Sequence, residues 1–248
     1  VDAVYVATSS FASCAVRAMG QVVCWGSDGS GLLGIGGTGA AASFKATPQA
    51  VVGLTTAVSV HGGDSHFCAR TAKGEAHCWG WAAWGQLGHG KLQTDYAKAA
   101  ESFESKPVQV AGVATTDRLW VSGSTVCARA VDEKVSCWGR NDWGQVGNGK
   151  AATDYATGKV SGQPNAANIP VLQGAAQIVG DRFHRCVRSA KGVVGCWGRT
   201  THGALGIGES GKNTYVPSPL IVNLVGSATE LLAGGFEGSV ASYGFTCA

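Results

Sequence analysis

The chain has 248 residues, of which 38 are glycine, 9 are cysteine and only 14% are charged, and its net charge is +3. A phosphate-reading surface needs clustered Lys and Arg, so this balance argues against a nucleic-acid partner. No run of 18 apolar residues occurs, so the sequence predicts no membrane span.

A repeat begins close to the first residue. Four segments each carry two cysteines ten positions apart and then Trp-Gly, at residues 14–26, 68–80, 127–139 and 186–198. A Gly-x-Leu/Val-Gly-x-Gly motif follows each segment, at residues 31–36, 85–90, 144–149 and 203–208. Each repeat then reaches a proline beside an apolar run, at Pro48, Pro107, Pro170 and Pro219. These marks divide one domain, residues 1–248, into repeats at roughly 1–53, 54–112, 113–172 and 173–226, with a partial copy at 227–248.

Each repeat predicts four short strands. The first precedes a Gly-rich turn, the second carries the first cysteine and the third carries Cys-Trp-Gly. The fourth is the Pro-led run, because proline suits the start or the edge of a strand. Four-stranded units that cannot bury their faces alone can do so when they are arranged radially. We therefore expect an all-β propeller of about five four-stranded blades, with the last blade incomplete.

The repeat resembles the regulator of chromosome condensation repeat family, whose hallmark is a hairpin that ends in Trp-Gly and is followed by Gly-Gln-Leu-Gly. The hallmark is strongest at Trp79-Gly80 with GQLG at 85–88, and at Trp138-Gly139 with GQVG at 144–147. The resemblance covers essentially the whole chain and implies a β-propeller. It implies no single function, because the family includes guanine-nucleotide exchange factors, chromatin binders and bacterial protein inhibitors. Propellers of this family commonly have seven blades, more than this chain supplies.

The paired cysteines lie symmetrically about the centre of each predicted hairpin, so they face each other across two antiparallel strands. At such positions the Cα atoms are about 4.5 Å apart, within disulfide range. The sequence predicts one hairpin disulfide per full repeat: Cys14–Cys24, Cys68–Cys78, Cys127–Cys137 and Cys186–Cys196. Four disulfides indicate an oxidising compartment, so we expect a secreted protein, extracellular or periplasmic. Zinc is the alternative, but no pair has the close Cys-x-x-Cys spacing of a structural site.

The histidines give little support to catalysis. His66 and His184 lie two residues before a cysteine, where a structural role is expected, and no nucleophile and base recur together. Asp64-Ser65-His66 has the composition of a triad, but three adjacent residues cannot adopt its geometry. The Gly-x-Leu-Gly-x-Gly motifs follow hairpins rather than a strand that enters a helix, so they indicate turns and not a dinucleotide loop. We expect no enzyme, no catalytic residue, no metal and no cofactor.

The aromatic residues fall into three sets. Trp25, Trp79, Trp138 and Trp197 recur at one repeat position, which predicts packing between blades. Trp81, Trp84 and Trp143 lie in the loops after the hairpins, where they could be protein-binding anchors, a sugar-stacking platform or caps on the blade. A Thr-Asp-Tyr echo in the variable loops predicts a local Asx turn at its Asp. Its tyrosines, together with the aligned Tyr of the fourth repeat, are further candidates for a partner: Tyr96, Tyr155 and Tyr215.

The partial fifth repeat carries the ninth cysteine, Cys247. Val240 occupies the position of the first cysteine there, and we expect three strands, at about residues 229–233, 239–243 and 245–248. The missing fourth strand would leave an edge open to strand addition from another chain. Cys247 is then either a buried inert thiol or an unpaired or intermolecularly bonded one.

Three function classes follow from these features. The leading one is a secreted, non-catalytic module that binds protein or assembles with itself into a homo-oligomer or filament. The alternative is a carbohydrate-binding propeller that uses the loop tryptophans. A secreted hydrolase is the third and least favoured class.

Overall fold

The computed structural model of the chain describes residues 2–40, 43–151, 161–208, 215–223, 227–237 and 242–247. The described residues form eighteen β-strands and a few single-turn 3₁₀ helices, at Gly29–Gly31, Gln93–Asp95, Ala99–Glu101, Pro170–Leu172 and Thr201–Gly203. No helix among them is long and apolar enough to cross a membrane.

The strands form four antiparallel sheets of four strands, here called blades 1 to 4, and one two-stranded unit. Blades 1 and 2 contain β1 (Ala3–Thr8), β2 (Ala12–Arg17), β3 (Val22–Ser27), β4 (Phe44–Ala50), β5 (Ala57–Gly62), β6 (His66–Thr71), β7 (Ala76–Trp81) and β8 (Phe103–Gln109). Blades 3 and 4 contain β9 (Thr116–Ser122), β10 (Thr125–Ala130), β11 (Val135–Arg140), β12 (Gly162–Asn168), β13 (Ala175–Gly180), β14 (His184–Ser189), β15 (Val194–Arg199) and β16 (Tyr215–Ile221). The fifth unit contains β17 (Leu232–Glu237) and β18 (Ser242–Cys247). The predicted all-β propeller is confirmed.

The first strand of each unit faces a central channel, and the fourth strand forms the outer edge. Contacts run between the successive first strands β1, β5, β9, β13 and β17. The second and third strands form the hairpin, whose register places the two cysteines directly opposite, as at Cys68 and Cys78. All four predicted disulfides are present, with Cα atoms 4.1 Å apart. All eight bridged cysteines are buried, and the bridges of blades 1 to 3 each belong to the apolar cluster that contains the tryptophan of the next blade.

The fourth strands differ from the Pro-led strands that the sequence predicted. Pro48, Pro107 and Pro219 stand fifth in their strands, not first. In blade 3 the strand ends before Pro170, which begins a 3₁₀ turn instead. The outer strand pairs on one side only, and its register shifts beside each Trp-Gly, so a proline inside it need not break the ladder.

Three of the four repeat tryptophans connect adjacent blades. The side chains of Trp79, Trp138 and Trp197 are fully buried. Each indole Nε1–H donates to a carbonyl in the Gly-x-Leu/Val-Gly motif of the preceding blade, at 3.1, 3.1 and 2.9 Å. Trp25 is only half-buried, contrary to the prediction of a core position, because in the described part of the chain no glycine motif from another blade packs on its ring.

The fifth unit has two described strands where the sequence predicted three. β17 and β18 form a longer hairpin in which Cys247 lies opposite Leu232, so the predicted pairing position, Val240, is wrong. Val240 itself lies outside the described residues. The reason is that β17 continues through the Gly-Gly at 234–235, where the first strands of the other blades stop.

Candidate functional site: an aromatic and arginine surface

The two ends of the propeller differ in chemistry. At the end here called the loop end, the loops that join third to fourth strands meet the loops that join first to second strands. At the opposite turn end lie the hairpin turns, at 72–75, 131–134 and 190–193. The candidate site is at the loop end, because the loop tryptophans lie there.

Backbone geometry sets the direction of the loop-end side chains. The glycine of each Trp-Gly has a φ of between +102° and +109°, and a Cβ at Gly80 would lie 2.8 Å from the carbonyl oxygen of Ser65. Only glycine adopts this conformation against neighbouring backbone at little cost. The residue that follows ends the third strand and leads into the loop: Ser27, Trp81, Arg140 and Arg199 in blades 1 to 4.

Buried glutamines fix the loop tryptophans. The side-chain oxygen of Gln86 accepts the backbone N–H of Trp84 at 2.9 Å, and Gln145 does the same for Trp143 at 2.8 Å. Both glutamines are fully buried in the Gly-x-Leu/Val-Gly motif. The motif therefore serves two purposes, because the backbone carbonyl of the same glutamine accepts the indole N–H of the tryptophan in the next blade.

Five side chains from blades 2, 3 and 4 form a continuous stack that we call the aromatic–arginine ladder. The Arg140 guanidinium lies 4.7 Å from the ring centre of Trp84 and 5.9 Å from that of Phe183. The Arg199 guanidinium lies 4.8 Å from Trp143 and 5.3 Å from the same Phe183. Each loop tryptophan thus stacks on the arginine of the next blade, and the ladder runs in the order Trp84, Arg140, Phe183, Arg199, Trp143. Cation–π contacts of this kind hold flexible arginines in a fixed plane.

Ion pairs surround the ladder. Asp142 accepts two bonds from the Arg140 guanidinium, at 2.9 Å from Nε and 2.6 Å from an Nη atom. Asp64 of blade 2 accepts Arg182 Nε of blade 4 at 2.9 Å and the Ser124 hydroxyl at 3.4 Å. Hydrogen bonds beside the ladder therefore connect Asp64 of blade 2, Ser124 of blade 3 and Arg182 of blade 4.

The sequence found the tryptophans of the ladder but missed its arginines. Trp84 and Trp143 are half-buried members of it, whereas Trp81 is half-buried at the end of β7 and has no ring contact among the described residues. Arg140 and Arg199 were not singled out. The available signal was their shared position directly after Trp-Gly in two successive repeats.

Two of the candidate tyrosines lie in the described part of the chain, and one of them, Tyr215, pairs across strands with Arg199 of the ladder. Tyr96 is half-buried and its hydroxyl donates to Glu104 at 3.2 Å and contacts His89 Nε2 at 3.1 Å. Hydrogen bonds with His89 and Lys91 lower the pKa of the Glu104 carboxyl to about 2. Burial and the neighbouring Glu104 raise the pKa of the Tyr96 hydroxyl. Tyr96 thus closes its own loop, where Asp95 accepts the backbone N–H of Leu92 at 2.7 Å. This bond runs three residues back along the chain, so it is not the predicted Asx turn, which would bond two residues forward. Tyr215 begins β16 and is half-buried. Tyr155 lies outside the described residues.

The histidines near the centre are buried rather than poised for catalysis. Both ring nitrogens of His66 are buried without a hydrogen-bond partner, and burial lowers its pKa to about 4. The equivalent His184 contacts Asp181 at 3.1 Å. Asp64 points to Arg182 and Ser124, so residues 64–66 form no triad. Within the described ranges no three His, Cys, Asp or Glu side chains are grouped so as to hold a metal.

A channel of about 590 Å³ runs between the first strands. Tyr5 and His61 meet in it edge to face, with ring centres 5.2 Å apart, and Trp120 lines its opposite side. Burial and the nearby Arg70 lower the His61 pKa to about 4, so this ring is neutral at pH 7. The channel is wide and open, and its cationic residues are few.

Known proteins share both the sequence pattern and the fold. No protein-family model matches the chain. The secretion-regulating guanine nucleotide exchange factor of Bos taurus is 28% identical over 186 residues, covering 70% of this chain and 38% of that protein. The ultraviolet-B receptor UVR8 of Arabidopsis thaliana is 28% identical over 209 residues, covering 83% and 43%. The structure of Prp20p from Saccharomyces cerevisiae superposes with a TM-score of 0.73 at 18% identity, covering 89% of this chain and 50% of that one. The chain therefore spans half or less of the length of each of these proteins.

Proposed function

Because the chain is built from repeats of the regulator of chromosome condensation family, we propose that it is a secreted, non-catalytic module that binds protein through its aromatic–arginine ladder. The ladder is the observation that carries the proposal. Tryptophan and arginine are the side chains most enriched among residues that dominate binding energy at protein interfaces. Here they are held in fixed positions before any partner arrives, which lowers the entropic cost of binding.

The related proteins support a protein partner. The Prp20p structure is described together with its binding properties to Gsp1p and histones. The bovine relative is named as a secretion-regulating guanine nucleotide exchange factor. Those partners belong to those proteins, and what this chain shares with Prp20p is the propeller fold.

Carbohydrate binding is the weaker candidate. A sugar stacks on an open aromatic face, but the arginine of the next blade already covers one face of Trp84 and one face of Trp143. The hydrolase alternative has less support, since the fully buried His66 has no partner and no route to a substrate.

Secretion is proposed on the disulfides. Four hairpin bridges are characteristic of proteins that fold in an oxidising compartment, and the cytosol would keep these thiols reduced. An extracellular or periplasmic location is the consequence. Cell fractionation that finds the chain only in the cytosol, with free thiols, would remove this part of the proposal.

Affinity capture with matched baits tests the binding surface. Wild-type protein, a Trp84→Ala/Trp143→Ala variant and a Met19→Ala/Val131→Ala variant are each exposed to culture medium and cell-surface extract. Met19 and Val131 are exposed at the turn end, so the last variant controls for loss of any apolar side chain. A specific protein should be captured by wild type and by the control but not by the loop-end variant. Equal capture by all three baits, or a glycan-array signal that needs Trp84, would contradict the proposal.

Self-association is a second candidate, favoured by the fifth unit. β17 and β18 form a two-stranded sheet, so in the described part of the chain β18 has one neighbour only. An open strand edge is a template for a strand from another copy. Light scattering at micromolar concentration should give a particle larger than the monomer, and deletion of residues 245–248 should restore the monomer. A monomer in both cases would remove self-association.

A further inference from the structure

Two stacks in the ladder have the same aromatic and arginine contacts but differ in the residue two positions after the arginine. Arg140 and Arg199 each follow Trp-Gly, and each guanidinium lies between a loop tryptophan and Phe183. In blade 3 the residue two positions later is Asp142, whose carboxylate fills the fork of Arg140. In blade 4 the same position is occupied by Thr201, which brings no charge.

Arg199 therefore has no carboxylate within the part of the chain that the structure describes. Its Nε atom is buried without an acceptor. The nearby acids are already engaged: Asp181 accepts the backbone N–H groups of Phe183 and His184 at 2.7 and 2.9 Å, and Asp64 accepts Arg182.

A guanidinium held in place without a carboxylate is suited to one kind of ligand, which must approach its two Nη atoms because the Nε atom is buried. The planar donor pair of arginine matches the two oxygens of a carboxylate, and the match adds direction as well as energy. The flanking rings of Trp143 and Phe183 keep water from part of the guanidinium, and such a bond is stronger where water is excluded. In blade 3 the same stack takes an Asp carboxylate, so the geometry accepts this group.

We propose that Arg199 is the anchor for an Asp or Glu side chain of the protein partner, whose carboxylate binds the Nη atoms of the guanidinium. The inference rests on the proposed protein-binding function of the ladder and adds the chemistry of the partner: an acidic segment. It also makes a distinction between two arginines that look equivalent in sequence. The charge of Arg140 is already paired with Asp142. Arg199 has no carboxylate beside it among the described residues, so of these two arginines it is the one that can bind a carboxylate of a partner.

The test uses a substitution that places a carboxylate of the chain itself beside Arg199. Thr201→Asp supplies blade 4 with the carboxylate that blade 3 has, and Thr201→Asn is its uncharged control. The probes are a capped peptide, acetyl-Gly-Glu-Glu-Tyr-Glu-Gly-amide, its Gln counterpart and inorganic phosphate. Binding is measured by calorimetry at low salt, and the Arg199 Nε–H signal is followed by NMR.

The Glu peptide should bind wild type and Thr201→Asn at least tenfold more tightly than the Gln peptide does, and should shift the Arg199 signal. Thr201→Asp and Arg199→Ala should reduce its binding to the Gln level, and Arg199→Lys should do so in large part because the fork is lost. Arg17→Lys, at the end of β2 beside the turn end and outside the ladder, should have little effect. Unchanged binding by Thr201→Asp, or phosphate binding more tightly than the Glu peptide, would overturn the proposal.

The outcome is separable from that of the proposed function. If Trp84→Ala/Trp143→Ala abolishes capture of a partner while Thr201→Asp does not, the ladder binds protein but Arg199 does not read a carboxylate. If the Glu peptide binds through Arg199 but no captured protein depends on the ladder, the acidic site stands and the proposed function fails.

Discussion

One residue at the turn of blade 3 is under conformational strain. Glu133 has a φ of +66°, and the equivalent positions in the other blades are glycines with φ of about +80°: Gly20, Gly74 and Gly192. A side chain in this region costs about 1–2 kcal/mol, partly offset by the extra backbone freedom that glycine loses on folding. The backbone bonds of Glu133, to Ala130 and from Gly174, do not involve its side chain.

Glu133→Gly should therefore stabilise the protein by roughly 0.5–1 kcal/mol. Chemical denaturation measures the change, and Gly74→Ala is the reverse control. Gly74→Ala should destabilise, because its Cβ would also crowd the carbonyl of Thr116 at 2.9 Å. A lower denaturation midpoint for Glu133→Gly would show that the turn does not carry this strain.

His66 makes the fold sensitive to acid. Its pKa in the folded protein is about 4, below the ordinary 6.5, chiefly because of burial, with Asp64 opposing the shift and Arg185 adding to it. The folded state thus binds fewer protons than the unfolded state, so stability is full above pH 6.5 and falls as pH drops towards 4. A pKa shift of this size corresponds to a loss of about 3 kcal/mol in unfolding free energy at the lower end of this pH range.

His66→Leu should reduce that loss, since it keeps the buried volume and removes the proton site. Unfolding free energies measured from pH 7 to pH 4 should fall less steeply for the variant than for wild type. His61 titrates in the same window in both proteins, so it cancels in the comparison. Equal slopes would mean that water or a neighbouring group satisfies the protonated ring.

At the scale of elements, the glycine motif of one blade and the repeat tryptophan of the next pack directly against each other. A Cβ at Gly88 would lie 2.8 Å from Nε1 of Trp138 and 2.7 Å from Val110. The equivalent Gly206 in blade 4 has nearly the same φ, +65° against +66°, but its Cβ would meet only Val222, at 3.2 Å. A comparison of alanine substitutions at Gly88 and Gly206 therefore separates the cost of a positive φ from the cost of displacing the tryptophan ring.

Both Gly88→Ala and Gly206→Ala should cost about 1–2 kcal/mol from the positive φ. Gly88→Ala should lose roughly 1–3 kcal/mol more, because the indole must move and its bond to Gln86 must lengthen. Denaturation midpoints and the fluorescence of Trp138 report both effects. If the two variants lose equal stability, the contact between Gly88 and Trp138 tolerates a methyl group and is less tightly packed than the distances indicate.

The hairpin disulfides act within single blades. Cys127 and Cys137 are ten residues apart, and the loss of such a short closed loop costs about 2–3 kcal/mol in the chain-entropy model. Cys127→Ala/Cys137→Ala should lower the unfolding free energy by this amount and leave the other three bridges intact. Non-reducing peptide mapping should recover Cys14–Cys24, Cys68–Cys78 and Cys186–Cys196 in the variant. Cross-linked products between repeats would contradict the register.

At the scale of the whole molecule, the repeated features could be predicted from the sequence and the contacts between repeats could not. The ten-residue cysteine interval fixed the hairpin register, and Trp-Gly marked the packing position. Trp25 was predicted as core because a repeat pattern does not show which copies have another blade packed on their tryptophan. Phe183 and Arg199 come from one repeat and Trp143 from another, so their meeting depends on blade packing. The fifth unit was misread because its Gly-Gly continues a strand that elsewhere stops.

The central claim is that the loop end, and not the turn end, binds a protein partner. Hydrogen–deuterium exchange of the chain alone and with its captured partner tests the claim most directly. The partner should slow exchange at residues 82–84, 141–143 and 181–183 and leave the hairpin turns at 72–75, 131–134 and 190–193 unchanged. Protection confined to the hairpin turns, with none around the aromatic–arginine ladder, would contradict the claim.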